Sequence, residues 1–315
     1  MDDPYKMTNN NPLISIAMAT YNGGLYIANQ LNSIIGQTYK NIEIIIVDDC
    51  SGDDTINIIS DYQKLHSNIR LIKNPSNQGA VKTFAHAMSL CRGDFIALAD
   101  QDDIWFSDKL ERLLDNIGDN LLIHSDAILV DNNMQPLAIS NMANTNKDMH
   151  KTEFIDYLIS PNVTGCTTLF PRKLVDLALP IPDRFYIHDH YLALIASFYG
   201  RVKYLDEPLV YYRQHGKNSI GAGRFSFDKF VNNCKSVADS YTALLSMPAF
   251  KNNYYIELLR DYRLSVYLSK WTSRFSLFRL LCIKHGVKLL AYYILIGGVL
   301  GRNFARRAYN YIYKT

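Results

Sequence analysis

Residues 95–103 read FIALADQDD: the five apolar residues from Phe95 to Ala99 run straight into Asp100, Gln101, Asp102 and Asp103. A short, unbroken apolar run ended by acids is the pattern of a strand buried on both faces where it leaves its sheet. Two largely apolar runs upstream likewise end in polar clusters. Residues 13–19 (LISIAMA) lead into Thr20-Tyr21-Asn22-Gly23-Gly24, and residues 42–47 (IEIIIV) lead into Asp48-Asp49-Cys50-Ser51. Helical patterns separate these runs. Ile27, Leu31, Ile34 and Ile35 fall on one face before Gly36, a second pattern covers residues 55–65, and an Ala- and Met-rich one covers residues 80–91. With a short strand at residues 69–73 the order is β-α-β-α-β-α-β. It predicts an α/β fold with a mostly parallel sheet, helices on both faces and right-handed crossovers.

Ligands of such sheets bind beyond the carboxyl ends of the strands, so the three polar clusters are expected to share one rim. Downstream the pattern predicts a strand ending at Val130, a polar stretch, a helix near residues 153–159 and a strand over residues 162–170 holding a tight Gly165. A helix over residues 189–199 and a short strand over residues 209–213 follow, and beyond Phe225 the chain reads as helices with interleaved Tyr, Lys and Arg. The expected division is a catalytic domain over residues 1–224 and a basic, Tyr-rich helical region over residues 225–315.

With 48% hydrophobic and 20% charged residues, the 315-residue chain has a globular composition, which excludes disorder and collagen-like structure. Its five scattered cysteines lack zinc-like spacing and read as buried thiols in a reducing compartment. The opening MDDPYKMTNNNPL lacks the apolar core of a signal peptide. From Phe225 onward 14 Lys/Arg face 4 Asp/Glu, so the net charge of +3 splits into +10 for this tail and −7 for the rest. That asymmetry suggests an anionic surface as partner. Residues 287–301 (VKLLAYYILIGGVLG) are almost wholly apolar, yet at about 15 residues fall short of the roughly 20 that span a bilayer. Flanked by Lys284 and Lys288 before and Arg302, Arg306 and Arg307 after, they predict a helix lying in a membrane surface, with a buried or homodimer helix as the alternative. Apolar helix faces suit a membrane better than nucleic acid, which is not an expected partner.

Asp100 and Asp102, at i and i+2 in a turn, can both face one hard cation such as Mg²⁺ or Mn²⁺. A lone DxD is more often a solvated turn, but its place at a strand end beside two other polar clusters favours the metal. The ATYNGG turn offers no GxGxxG, which argues against a dinucleotide-dependent oxidoreductase. His188-Asp189-His190 invites a zinc reading, but neighbours on a helix point about 100° apart. Asp189 is then a general base or a helix cap, and His215 a metal ligand or a surface histidine. Tyr211 and Tyr212 read as strand packing.

The ordered set ISIAMATYNGG, QTYKNIEIIIVDDCSGDDT, NPSNQGAVKTFAHAM, GDFIALADQDDIW, NVTGCTTLF, HDHYLAL and YRQHGKNS resembles the family-two inverting glycosyltransferases of the GT-A fold. The resemblance implies that Thr20, Tyr21, Asn22, Asp49, Lys82, Asp100 and Gln101 bind the nucleotide sugar. Asp49 would accept from the base. Asp102, with Asp100 and His215, would hold Mg²⁺ or Mn²⁺, Asp189 would be the catalytic base, and Gly165, Trp105 and His188 would face the acceptor. The Asp189 carboxyl is expected to be raised by its apolar neighbours Ile187 and Leu192. One departure is His188, where the family carries Glu, which puts that acceptor contact in doubt. The QxxRW signature of processive synthases is absent, since Trp271 follows Leu268-Ser269-Lys270, so transfer of a single sugar is implied.

DQDDIW together with YRQHG looks most like bacterial rhamnosyltransferases of surface polysaccharide such as O-antigen. That implies dTDP-L-rhamnose as donor, with a UDP-hexose (galactose or N-acetylglucosamine) as runner-up. The acceptor would be a lipid-linked saccharide, and the protein cytoplasmic and peripheral on the inner face of the plasma membrane. A non-catalytic glycan-binding or scaffold protein is the alternative of another class. The retention of every acid the chemistry needs argues against it.

Overall fold

In the computed structural model, which describes residues 11–138, 153–159, 162–215 and 227–268, four strands form the parallel half of the sheet. They are β1 (Ile14–Thr20), β2 (Ile42–Asp48), β3 (Ile69–Lys73) and β4 (Phe95–Ala99), in the order β3-β2-β1-β4. Register places Ile16 between Ile44 and Ala97, so alternate residues of neighbouring strands share a face. On one face Ile14, Ile16, Ile44 and Ile46 pack with Leu31 and Ile34 of α1 (Ile27–Ile35) and Ile59 of α2 (Thr55–Leu65) in one core. Helix α3 (Ala80–Leu90) packs on β1 and β2 through Phe84, Ala87 and Met88, none of which joins that core; it covers the opposite face. Both faces are therefore covered, which is why these strands are apolar without alternation.

Beyond β4 the sheet, nine-stranded among the described residues, becomes mixed. Its order continues β4-β8-β6-β9-β5, with β5 (Ile104–Trp105), β6 (Leu122–Val130), β8 (Thr168–Pro171) and β9 (Val202–Arg213), while β7 (Pro136–Ala138) pairs with β6. The β6–β9 ladder is parallel, and β4–β8, β8–β6 and β9–β5 are antiparallel. The helices here are α4 (Lys109–Ile117), α5 (Phe154–Ile159), α6 (Arg172–Ala178) and α7 (His188–Tyr199). Two expectations are corrected. Residues 165–167 form a 3-10 turn, and only then does β8 begin. Strand β9 starts at Val202 instead of residue 209, with a register shift where Pro208 meets Asp126. Proline cannot donate to a ladder, and a bulge accommodates it.

The described residues fall into two compact units. One comprises residues 11–181 and 187–215, and the other residues 182–186 with 227–268. In the second, α8 (Phe227–Ser246) packs with α9 (Tyr254–Leu268), burying Cys234, Val237, Tyr241, Ile256 and Leu259. No helix among the described residues is long and apolar enough to cross a membrane. The apolar segment 287–301, its flanking Lys and Arg, and Trp271 lie outside the described residues. The four described cysteines are free thiols. Cys91, Cys166 and Cys234 are buried as expected, whereas Cys50 is exposed, in a turn where its φ is +68°.

Candidate active site

The ends of β1, β2 and β4 meet at one rim, where hydrogen bonds tie their loops together. Thr20 is buried, and its hydroxyl donates to Asp48 Oδ2 (2.9 Å), which also accepts from Ser51 Oγ (2.6 Å). Tyr21 is 48% exposed, an open aromatic face at the rim. Its backbone is held on both sides by one side chain: Gln101 Oε1 accepts from Tyr21 N (2.9 Å) and Gln101 Nε2 donates to Tyr21 O (3.0 Å). Asn22, at φ +49°, accepts from Gly52 N (2.8 Å) and donates its own N–H to Ser51 Oγ (2.9 Å). Asp49 Oδ1 accepts from Asn74 Nδ2 (2.9 Å) and Gln78 N (2.8 Å), and Oδ2 accepts from Gly79 N (2.8 Å). A carboxylate has about four acceptor positions, so Asp49 keeps one on Oδ2. Lys82 is exposed in the first turn of α3.

The turn after β4 concentrates three carboxylates, and two of them, Asp100 and Asp103, act on one buried lysine, Lys109. Asp102 Oδ2 lies 2.7 Å from His215 Nε2, and both side chains are about nine-tenths buried, at 11% and 7% exposure. Asp102 and His215, two of the three residues expected to hold a metal, thus come together from the ends of β4 and β9. Asp100 is held well above the carboxylate range by burial and by the charges of Asp103, Asp102 and Asp189, against the pull of Lys109. Asp103 is pushed up to about 7 by burial and Asp102, in spite of hydrogen bonds from Cys166 and the Arg213 backbone. Fully buried Lys109 is pulled down to about 7 by its burial, against Cys166, Asp103 and Asp100. It donates to Cys166 O (2.6 Å), and its Nζ sits 3.2 Å from the centre of the Trp105 ring. Ligating atoms of Asp100, Asp103 and Cys166 lie within 4.8 Å of one another, and Lys109 Nζ, bonded to Cys166 O, sits beside them.

Asp189 stands in the first turn of α7, where Oδ2 accepts from Gly165 N (3.2 Å) and Oδ1 from His190 N (2.6 Å). It is not the helix cap: that position is Ile187, which has no side-chain bond to make. A Cβ on Gly165 would lie 3.1 Å from His188 Nε2, 3.5 Å from Asp189 Cβ and 3.6 Å from Leu98 Cδ1, so Gly165 lets this turn approach Asp189 and β4. The histidines flanking Asp189 diverge. His190 Nε2 meets Tyr157 O (2.8 Å), while His188 stacks on Phe84 at 4.0 Å, so the zinc reading has no geometry behind it. Burial takes His188 down to about 3, a neutral ring.

The structure brings Asp100, Gln101, Asp102, Gly165, Asp189 and His215 to one end of the sheet. It does not present Trp105 or His188 openly: both are buried, Trp105 in the main core and His188 against Phe84. Tyr211 and Tyr212 do pack as strand residues, against Phe106 and the core. Lys109 and Arg213 have no role in the sequence pattern, and Asp103 enters it only as part of the acidic run. A lysine in a helix's first turn reads as solvent-facing, and nothing local signals its burial.

The sequence and the fold are each similar to those of known proteins. RfbG of Shigella flexneri, a dTDP-rhamnosyl transferase, is 33% identical over 219 residues, which cover 65% of this chain and 74% of that protein. EpsH of Bacillus subtilis, whose name gives glycosyl transfer and no donor, is 32% identical; the match spans 65% of this chain and 61% of EpsH, less than two thirds of its length. Among solved structures, the mannosyltransferase PcManGT from Pyrobaculum calidifontis, in complex with GDP-Man and Mn²⁺, superposes with a TM-score of 0.57 at 16% identity, covering 99% of this chain and 88% of that one. S. aureus TarS 1–349 in complex with UDP-GlcNAc gives 0.56 at 21% identity, over 90% of this chain and 78% of that one. These two likenesses show the fold, the GT-A type. The family model described as glycosyl transferase family 2 matches residues 15–177, which carry the first two polar loops, the acidic turn and Gly165, and the chain belongs to that family.

Proposed function

We propose that the chain is an inverting glycosyltransferase that moves a single sugar from a nucleotide-diphosphate donor to a saccharide acceptor in bacterial surface-polysaccharide synthesis. The observation that carries this reading is the shared rim: Gly165, whose N–H donates to Asp189 (3.2 Å), also packs against Leu98 of β4, the strand that runs into the acidic turn, so base and acidic turn serve one reaction centre. In one displacement the acceptor oxygen bonds to the anomeric carbon while the bond from that carbon to the diphosphate oxygen breaks. Asp189 takes the hydroxyl proton, and the electron pair leaves with the nucleotide diphosphate. Gly165 N–H and His190 N–H fix the carboxylate that does this.

Asp102 and His215 fit a divalent cation. A carboxylate oxygen and an imidazole nitrogen 2.7 Å apart form a donor set that suits Mn²⁺, and Mg²⁺ through the carboxylate. Such an ion would act as a Lewis acid on the diphosphate. Around the donor, Tyr21 offers a stacking face and Asp49 its remaining acceptor position for a pyrimidine N3–H, while Lys82 brings a positive charge for the diphosphate. The likeness to RfbG supports dTDP-L-rhamnose within that set. We place the protein at the inner face of the plasma membrane, held by residues 225–315, with a lipid-linked acceptor.

Titration with dTDP, UDP and GDP in Mn²⁺ tests the donor. Preference for dTDP is expected. Preference for UDP would shift the reading to a hexose donor, and preference for GDP would overturn the role of Asp49.

A further inference from the structure

The YRQHG motif contributes more than His215. Arg213, the last residue of β9, is 3% exposed, and it reaches the ends of three other segments of the rim. Its backbone N–H donates to Asp103 Oδ1 (3.2 Å), and its Nε donates to Asp102 O (2.8 Å). Its Nη1 donates to Asn132 O (2.9 Å), in the turn after β6. The guanidinium carbon lies 5.0 Å from the centre of the Tyr26 ring, and that ring stacks on His215 at 4.9 Å with only 16° between planes. Tyr26 closes the circuit by donating its hydroxyl to Asn132 Oδ1 (3.3 Å).

We propose that Arg213 is a positioning residue that sets the Asp102–His215 pair for its divalent cation, an inference that rests on the metal reading of that pair. Asp102 is held at its carbonyl, one bond system away from the carboxylate that meets His215. His215 is held from the other side through the Tyr26 ring and by the backbone two residues after Arg213. A guanidinium is suited to this: its planar fork addresses two carbonyls in different directions and still lies over a ring. A lysine ammonium on a flexible stem cannot reproduce that arrangement.

Charge and positioning make opposite forecasts. A cation beside a metal site repels the metal, so if Arg213 acted only through its charge, removing that charge would tighten Mn²⁺ binding. If it positions the ligands, its loss weakens binding even though the repulsion is relieved.

The test is Mn²⁺ titration of the full chain, followed by the EPR signal of the free ion, for wild type, Arg213→Lys, Arg213→Met, Tyr26→Leu and Asp102→Ala. Both Arg213 variants are expected to bind Mn²⁺ about 10- to 100-fold more weakly, the usual consequence of removing a support behind a metal ligand. Tyr26→Leu should shift binding the same way, and it decides the matter should the Arg213 variants not fold. The Mn²⁺ concentration for half-maximal turnover should rise in step, with kcat at saturating Mn²⁺ falling less. Wild-type or tighter Mn²⁺ affinity in Arg213→Met and Tyr26→Leu, with binding lost in Asp102→Ala, would overturn the positioning role alone. Unchanged binding in Asp102→Ala would overturn the metal reading beneath it.

Discussion

Gly23→Ala is a one-atom test of how the nucleoside rim is held. A Cβ at Gly23 would stand 2.2 Å from Gln101 Oε1, where ordinary contact begins at 3.4 Å. Gln101 would have to retreat by the difference, 1.2 Å, more than the 2.9 Å and 3.0 Å bonds it makes to Tyr21 N and O can stretch. Each such bond contributes about 1 kcal/mol net, so releasing both costs about 1–2 kcal/mol. Because the side chain that moves is flexible and part-exposed, the loss should fall on the order of the Tyr21 loop and leave global stability nearly intact. Expressed in donor binding, that cost is a loss of about 5- to 30-fold in affinity for the nucleotide. Calorimetric titration with dTDP and UDP measures it, and thermal unfolding checks the fold. The cycle with Gln101→Ala isolates the mechanism: once the amide is gone, the Gly23 methyl has nothing to displace and should cost little more. Full additivity of the two losses, or an unchanged affinity in Gly23→Ala, would refute the reasoning.

Asp189→Asn keeps the shape of the base but not its proton affinity, so kcat should fall by about two to four orders of magnitude while donor affinity barely moves. Lost donor binding with turnover retained would make Asp189 a binding residue instead. Glu43 is buried between Ser15 and Arg92. Burial alone would raise its carboxyl, but the bonds from Ser15 Oγ, Arg92 N and the Arg92 guanidinium outweigh it and hold it below 4.5. A depressed folded value means stability that is complete above the unfolded value and lost as pH falls through the folded one. Glu43→Gln should therefore lose about 2 kcal/mol at pH 7 and show a flatter loss of Tm below pH 4.5, measured by thermal unfolding across pH. Equal acid sensitivity in both proteins would remove Glu43 from the account. Reversing Arg302, Arg306 and Arg307 to Glu should release the chain from anionic liposomes with donor hydrolysis retained; unchanged sedimentation with the liposomes would remove the membrane role.

Legibility in the sequence followed locality. Strands β1, β2 and β4 and the rim loops after them were readable because both-face burial writes a largely apolar run, and the loss of burial at the rim writes the polar residues that follow. Strand β9 was readable only over its end: Asp206, Glu207 and Pro208 break the pattern, and a bulge opposite Asp126 absorbs the break in three dimensions. Helix α4 carries Leu110, Leu113 and Ile117 on one buried face but opens with Lys109, whose burial depends on Trp105 and Cys166, the second of them 57 residues away. The pairing of Asp102 with His215 spans 113 residues and was reached from the resemblance alone. The same resemblance gave no hint of how Trp105 and His188 pack. Their side chains answer to this chain's own packing, where β5 inserts Trp105 under Lys109 and Phe84 claims the His188 ring.

The central claim is that Asp189 and the acidic turn serve one sugar-transfer centre. The most direct measurement is nucleotide-diphosphate release from a panel of nucleotide sugars, with Mn²⁺ or Mg²⁺ present and with EDTA, for wild type, Asp189→Asn and Asp102→Ala. The account predicts release by wild type from a pyrimidine-linked donor, its loss in EDTA and in Asp102→Ala, and a fall of about two to four orders of magnitude in Asp189→Asn. No release from any donor by the folded wild type, or equal release by all three proteins, would contradict it.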